Sequence, residues 1–173
     1  MKNKAVFLDR DGVLNKDKVD YVYTIEEFKI FDGVAEALKI LKEDGYKLII
    51  ITNQSGIAKG IYDENAVRLC FDYLQSETGN LIDDMFFCPH HPDFDRKCEC
   101  RKPGFKMILD AIEKHHIDPE VSFMVGDAQR DITAGNNAGL KTIHVHNGKE
   151  DAVGAVLVVG DLLEAAHFII SQN

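Results

Sequence analysis

Two carboxylates, a hydroxyl and a third carboxylate each follow an apolar run in this chain, and an ammonium group leads into a helix. VFLDRDGVLN places Asp9 and Asp11 two residues apart, with Gly12 behind them to permit a sharp turn. Carboxylates this close repel, and burial would return a proton to at least one of them unless a cation joined the pair. A magnesium ion would keep Asp9 ionised as a nucleophile. Asp11 could then act as general acid on a leaving oxygen and as general base on a water. A solvated acidic turn would read the same way from these residues alone. IIITNQSG sets Thr52 and Asn53 past a second apolar run, followed by Gln54 and Ser55. A hydroxyl and backbone N–H groups at such a turn suit a phosphate, or equally a helix N-cap. FMVGDAQRD supplies Asp127, which could complete a magnesium site with Asp9. Asp131, one helical turn on, either supports that site or is a first-turn carboxylate favoured by the helix dipole. Lys102, between Arg101 and Pro103, offers a point charge to a transferring phosphoryl group.

A second chemistry lies in CPHHPDFDRKCECRKP, residues 88 to 103, which holds three of the chain's four cysteines. Cys88, His90, Cys98 and Cys100 have the spacing C-x-H-x7-C-x-C. Three thiolates and one imidazole form a tetrahedral set that suits structural zinc, with no position left for water. Residues i and i+2 of an extended segment point the same way, so each close pair can chelate. Free thiols or a disulfide are the other readings. His91 falls on the opposite face, and Cys70 sits on an apolar helical face as a small core residue. Zinc held here would be a clip: fixing Cys100 fixes where Arg101 and Lys102 point.

These groups need a frame. Apolar runs at 5–8, 47–51, 85–87, 122–125, 141–145 and 155–159 alternate with amphipathic stretches at 33–44, 63–78, 104–116, 130–138 and 161–171. That alternation predicts an α/β fold, a Rossmann-like three-layer sandwich around a central parallel sheet. Gly45, Gly79 and Gly139 follow three of the helices as left-handed caps. Ligand sites in such sheets lie beyond the carboxyl ends of the strands, where the acidic and hydroxyl groups fall. The segment from 10 to 32 lacks strong periodicity and reads as a flap over that edge.

The chain of 173 residues suffices for one domain, 1–173, with the 88–100 loop embedded in it. Its formal charge of −9 argues against a nucleic-acid or membrane-surface binder. It leaves room for a small phosphorylated substrate, because a metal and a few local cations reverse the field in one cleft. The apolar start is too short for a signal peptide and no run could span a bilayer, so a cytoplasmic protein is expected.

Together DRDGV, TN, RKP and GDxxxD resemble the four signature motifs of the haloacid dehalogenase superfamily of phosphohydrolases, over nearly the whole chain. The resemblance implies an aspartyl-phosphate mechanism with Asp9 attacking phosphorus and Asp11 as acid, then base. It implies Thr52 and Lys102 on the phosphoryl group. Asp9, Asp127 and the backbone carbonyl of Asp11 would hold magnesium. CPHHP, CxCRKP and TNQSGIAKG resemble the D-glycero-D-manno-heptose 1,7-bisphosphate phosphatase branch, which acts on a surface-polysaccharide precursor. The related histidinol-phosphate phosphatases typically carry TNQDG where this chain has Ser55 before Gly56. The flap stretch DKVDYV lacks the glycine of the heptose branch, and Ala128 stands where that branch often has lysine. On this reading Asp17, Tyr21, Asn53, Gln54, Ser55 and Arg101 contact a phosphorylated sugar, no insertion forms a separate cap domain, and the protein is a monomer. A phosphoaspartate receiver domain is the alternative from another class, since it too places acidic residues, a hydroxyl and a lysine at strand ends.

Overall fold

The computed structural model describes residues 2–146, 148 and 151–172. Its strands are β1 (Ala5–Leu8), β2 (Lys47–Asn53), β3 (Asp84–Cys88), β4 (Phe123–Gly126), β5 (Lys141–Val145) and β6 (Leu157–Val159). The helices between them are α1 (Val34–Glu43), α2 (Glu64–Glu77), α3 (Lys106–His115), α4 (Gln129–Asn137) and α5 (Leu162–Ile170). All strand pairings are parallel, in the order β3-β2-β1-β4-β5-β6. Chain direction across the sheet therefore reverses between β1 and β4, and a crevice opens at their carboxyl ends.

Strand β1 is completely buried, as a central strand covered on both faces must be. Each large side chain it buries, Phe7 and Leu8 among them, contributes about 1.5–3 kcal/mol. Val6 and Leu8 face the layer of α1 and α5, while Ala5 and Phe7 face that of α3. Helix α1 buries Val34, Ala37, Leu38 and Leu41, the one-sided stripe that its spacing predicts. Gly45, Gly79 and Gly139 all have φ near +80°, as expected of helix-ending glycines. Asp63 caps α2 by accepting from the Ala66 N–H at 3.0 Å.

The 10–32 segment is anchored rather than loose. Lys16 N–H donates to Lys29 O at 2.8 Å and Phe31 N–H to Leu14 O at 3.1 Å, closing the excursion on itself. Val13, Leu14, Val22 and Phe28 sink into the core, which leaves residues 17–21 projecting over the crevice.

Candidate active site

The expected chemical groups converge on that crevice. Asp9 and Asp127 lie immediately past β1 and β4, and Thr52 lies in the last turn of a β2 that runs two residues further than its apolar stretch suggests. Asp9, Asp127 and Asp131 each bring a carboxylate oxygen within 4.8 Å of the other two, and all are buried. Gly126 makes this approach possible: a Cβ there would stand 2.2 Å from the Cβ of Asp131.

Lys102 is buried beneath the crevice floor. Its Nζ lies 2.9 Å from Asp9 Oδ1 and 2.7 Å from Asp131 Oδ1, and donates to Ile51 O at 2.7 Å. Arg10 N–H also donates to Asp9 Oδ1, at 2.7 Å. Desolvation by burial, followed by the charge of Asp131, pushes Asp9 up to about 7 against the pull of Lys102 and Arg130. Burial works against charge on Asp131 too, but Lys102 and Arg130 hold it below the ordinary carboxylate value. Asp131 also accepts from the Ala128 N–H at 3.0 Å. Asp131 is thus a first-turn carboxylate of α4 that also pairs with Lys102.

Asp11 accepts the fork of Arg10, Nε to Oδ2 at 3.0 Å and Nη2 to Oδ1 at 2.9 Å. Asn15 Nδ2 donates to its Oδ1 at 2.9 Å and Gln54 Nε2 to its Oδ2 at 3.1 Å. Gln54 Nε2 also donates to Thr52 Oγ1 at 2.8 Å, which leaves the threonine's own proton available to a phosphate. Tyr62 fixes the orientation of that amide by donating its hydroxyl to Gln54 Oε1 at 2.7 Å. Burial pushes the Tyr62 phenol up to about 12, so it remains a donor. Gly56 makes room for it, since a Cβ there would lie 2.1 Å from the tyrosine ring.

Asn53 lines the cleft, yet both ends of its amide engage the Lys102 backbone: Nδ2 donates to Lys102 O at 3.1 Å and Oδ1 accepts from Lys102 N at 3.0 Å. Its place in the structure is as a clamp that positions the lysine.

Above this floor is a cleft of about 340 Å³. Asp9, Asp11, Asp17, Tyr21, Thr52, Asn53, Gln54, Ser55 and Arg101 all line it, whereas Lys102 and Asp127 lie below. Lys18, Lys59, His91 and Arg130 join the lining. No spacing rule marked those four, because each reaches the cleft from a different loop or helix start. Arg130 faces Asp9, Asp127 and Asp131 from the first turn of α4. Lys59 Nζ stands 5.4 Å over the Tyr21 ring and 5.1 Å over the Phe94 ring. Tyr21 has φ +70°, a left-handed conformation that is strained for an aromatic residue and that here sits on the cleft wall.

The cysteine loop packs beside the cleft. Sulfur separations are 3.0 Å for Cys88–Cys100, 3.3 Å for Cys98–Cys100 and 3.5 Å for Cys88–Cys98. Backbone N–H groups of His90 and Arg101 point at Cys88 and Cys98 respectively. The His90 ring lies outside this cluster, with Nδ1 2.5 Å from Asp95 Oδ2 and Nε2 3.0 Å from Arg96 Nη2. Arg101 Nη1 donates to His90 O at 3.3 Å, so the loop does hold the arginine that faces the cleft. Cys70 is buried in the core layer of α1 and α5.

Comparison with known proteins agrees with this geometry. A HAD-hydrolase-like family model matches residues 99–165. The chain is 40% identical to the D-glycero-beta-D-manno-heptose-1,7-bisphosphate 7-phosphatase of Haemophilus ducreyi, covering 98% of this chain and 100% of that one. It is 44% identical to a D-glycero-alpha-D-manno-heptose-1,7-bisphosphate 7-phosphatase of Photorhabdus laumondii, covering 80% of each. Among solved structures, the D,D-heptose 1,7-bisphosphate phosphatase of B. bronchiseptica, complexed with magnesium and phosphate, superposes with a TM-score of 0.90 at 29% identity. That match covers 98% of this chain and 99% of the other. No helix among the described residues is long and apolar enough to cross a membrane.

Proposed function

Because the chain belongs to the heptose-1,7-bisphosphate 7-phosphatase family of HAD-like hydrolases, we propose that it removes the C7 phosphate of D-glycero-D-manno-heptose 1,7-bisphosphate. One observation carries the reading: Asp9 and Asp127 meet at the β1/β4 reversal with Lys102 Nζ 2.9 Å from Asp9, beneath a cleft rimmed by Lys18, Lys59, Arg101 and Arg130. Such a floor suits one phosphoryl group, and such a rim suits the rest of an anionic sugar.

Arg10 N–H and Lys102 both contact Asp9 Oδ1, which leaves Oδ2 for the attack on phosphorus. As the new O–P bond forms, the bond from phosphorus to the sugar oxygen breaks. To act as the acid, Asp11 must first leave the Arg10 fork and take up a proton from solvent, which it then gives to that oxygen. It then takes a proton from the water that attacks the aspartyl phosphate, releasing phosphate and restoring Asp9. Thr52, Lys102 and Arg130 surround the transferring group with donors and positive charge, which is most of what phosphoryl transfer asks of a protein. Magnesium fits the floor, since three buried carboxylates there face too little positive charge to keep Asp9 ionised. Asp9, Asp127 and the Asp11 carbonyl would hold it. When bound it neutralises charge on the phosphoryl oxygens and keeps Asp9 anionic.

Zinc on Cys88, His90, Cys98 and Cys100 belongs to the same reading. It is supported by three sulfurs in mutual contact and by amide N–H groups aimed at two of them. His90 would exchange Asp95 for the metal. We read 1–173 as one cytosolic, monomeric phosphatase domain with the zinc loop embedded at 88–100. The test is phosphate release with magnesium from the alpha and beta heptose 1,7-bisphosphates and from histidinol phosphate, with Asp9→Asn as control. Preference for a heptose supports the proposal. Preference for histidinol phosphate, or turnover that survives Asp9→Asn, refutes it.

A further inference from the structure

A third cluster of metal-ligating groups shares no residue with the acidic floor or the cysteine loop, although His144 pairs in register with Gly126, which precedes Asp127. His144 and His146 sit two residues apart at the carboxyl end of β5, so their side chains share one face of the strand. With Asp151, each brings a ligating atom within 4.8 Å of the other two. His146 Nδ1 and Asp151 Oδ1 are 3.4 Å apart. His144 is 1% exposed, and among the described residues neither of its ring nitrogens has a hydrogen-bond partner. Buried imidazoles are almost always hydrogen-bonded through at least one nitrogen, so one left with none invites a ligand. The neighbours that could supply that ligand's remaining contacts, an exposed imidazole and an exposed carboxylate, are those a divalent transition metal selects.

We propose that His144, His146 and Asp151 form a second zinc site, independent of the cysteine loop. Two imidazoles and a carboxylate bind zinc with one position left for water. Unlike the cysteine set, this one is open to solvent at two of its three ligands, so its ion exchanges readily. The site ties β5 to the segment that follows it. That segment is already latched onto α4: Gln129 Nε2 donates to Val153 O at 3.0 Å, Val153 N–H donates to Gln129 Oε1 at 2.8 Å, and Asn136 Nδ2 donates to Gly154 O at 3.1 Å. Zinc at His144 therefore braces the helix whose first turn carries Arg130 and Asp131. This inference does not depend on the identity of the substrate.

The experiment titrates Zn2+ into full-length protein whose cysteine loop is already loaded, in the presence of magnesium, and follows heat and melting temperature. The parent takes up one further equivalent and melts higher. His144→Leu and His146→Ala each weaken that equivalent by at least about tenfold, and Asp151→Asn, at an exposed position that cannot unfold the chain, weakens it by a smaller factor. Cys98→Ser loses the tightly held equivalent and retains this one. An unchanged affinity in His146→Ala and Asp151→Asn overturns the proposal, and so does a parent that binds no further zinc.

Discussion

Replacing Asp9 by Asn should abolish turnover and, in the absence of magnesium, make the protein more stable. Asp9 is fully buried, and its acidity falls from an ordinary 3.8 to about 7 because of desolvation and the nearby Asp131. A carboxyl group with a raised folded-state value holds its proton more tightly in the folded chain than in the unfolded one. Stability therefore falls as pH rises between 3.8 and about 7, and stays low above that. The full difference corresponds to at most about 4 kcal/mol. Asn forgoes it, but also forgoes the ion pair with Lys102, which keeps Asp131 at 2.7 Å and Ile51 O at 2.7 Å. A net gain of about 1–3 kcal/mol above pH 7 follows, or roughly 2–10 °C in melting temperature for a chain of this size. The gain shrinks toward zero near pH 4. Magnesium should erase it, because an ion held by Asp9 as proposed stabilises the parent in proportion to its binding, and the variant lacks that carboxylate. Thermal unfolding of both proteins from pH 4 to 8, with and without magnesium, reads all of this. Parallel curves, or a variant less stable than the parent at pH 8 without magnesium, would refute the claim that Asp9 is held at an electrostatic cost for the sake of chemistry.

Arg101→Ala should raise KM or lower kcat for the heptose bisphosphate by about tenfold or more, while a small aryl phosphate loses little; steady-state kinetics on both substrates decides, and equal losses would remove Arg101 from specificity. Tyr62→Phe leaves the Gln54 amide without its orienting donor, so kcat should drop by several-fold with KM nearly unchanged, and a stability loss of about 1 kcal/mol at most; a KM effect alone would assign the hydroxyl to substrate binding. Gly126→Ala forces Asp131 aside, which should cost about 1–3 kcal/mol in denaturant unfolding and reduce kcat by displacing Lys102; a neutral result would show that the close approach is not needed. Cys98→Ser should lose the zinc proposed for the cysteine loop, measured by metal analysis against the parent, and raise KM through Arg101 more than it lowers kcat; a zinc content equal to the parent's would show that Cys98 does not hold it.

The sequence alone determined the order and type of the elements, because apolar runs buried on both faces and one-sided helical stripes are local patterns with their own periods. Every expected strand and α-helix forms within a few residues of its expected bounds, and Gly45, Gly79 and Gly139 end their helices as their lack of Cβ allows. Asp9, Asp11, Thr52 and Asp127 were legible for the same reason: polar groups that directly follow buried strands must lie at the sheet's carboxyl edge. Distances between segments remote in sequence were beyond its reach. Only the folded chain shows that Asn53 clamps the Lys102 backbone, that Asp131 pairs with Lys102, and that Tyr62 sets the amide shared by Thr52 and Asp11. Only the folded chain, too, brings Lys59, His91 and Arg130 to the cleft and turns the His90 ring onto Asp95. A side chain's partner is decided by which loops the sheet order brings side by side. Local propensity says that a loop is there; the β1/β4 reversal says which others it faces.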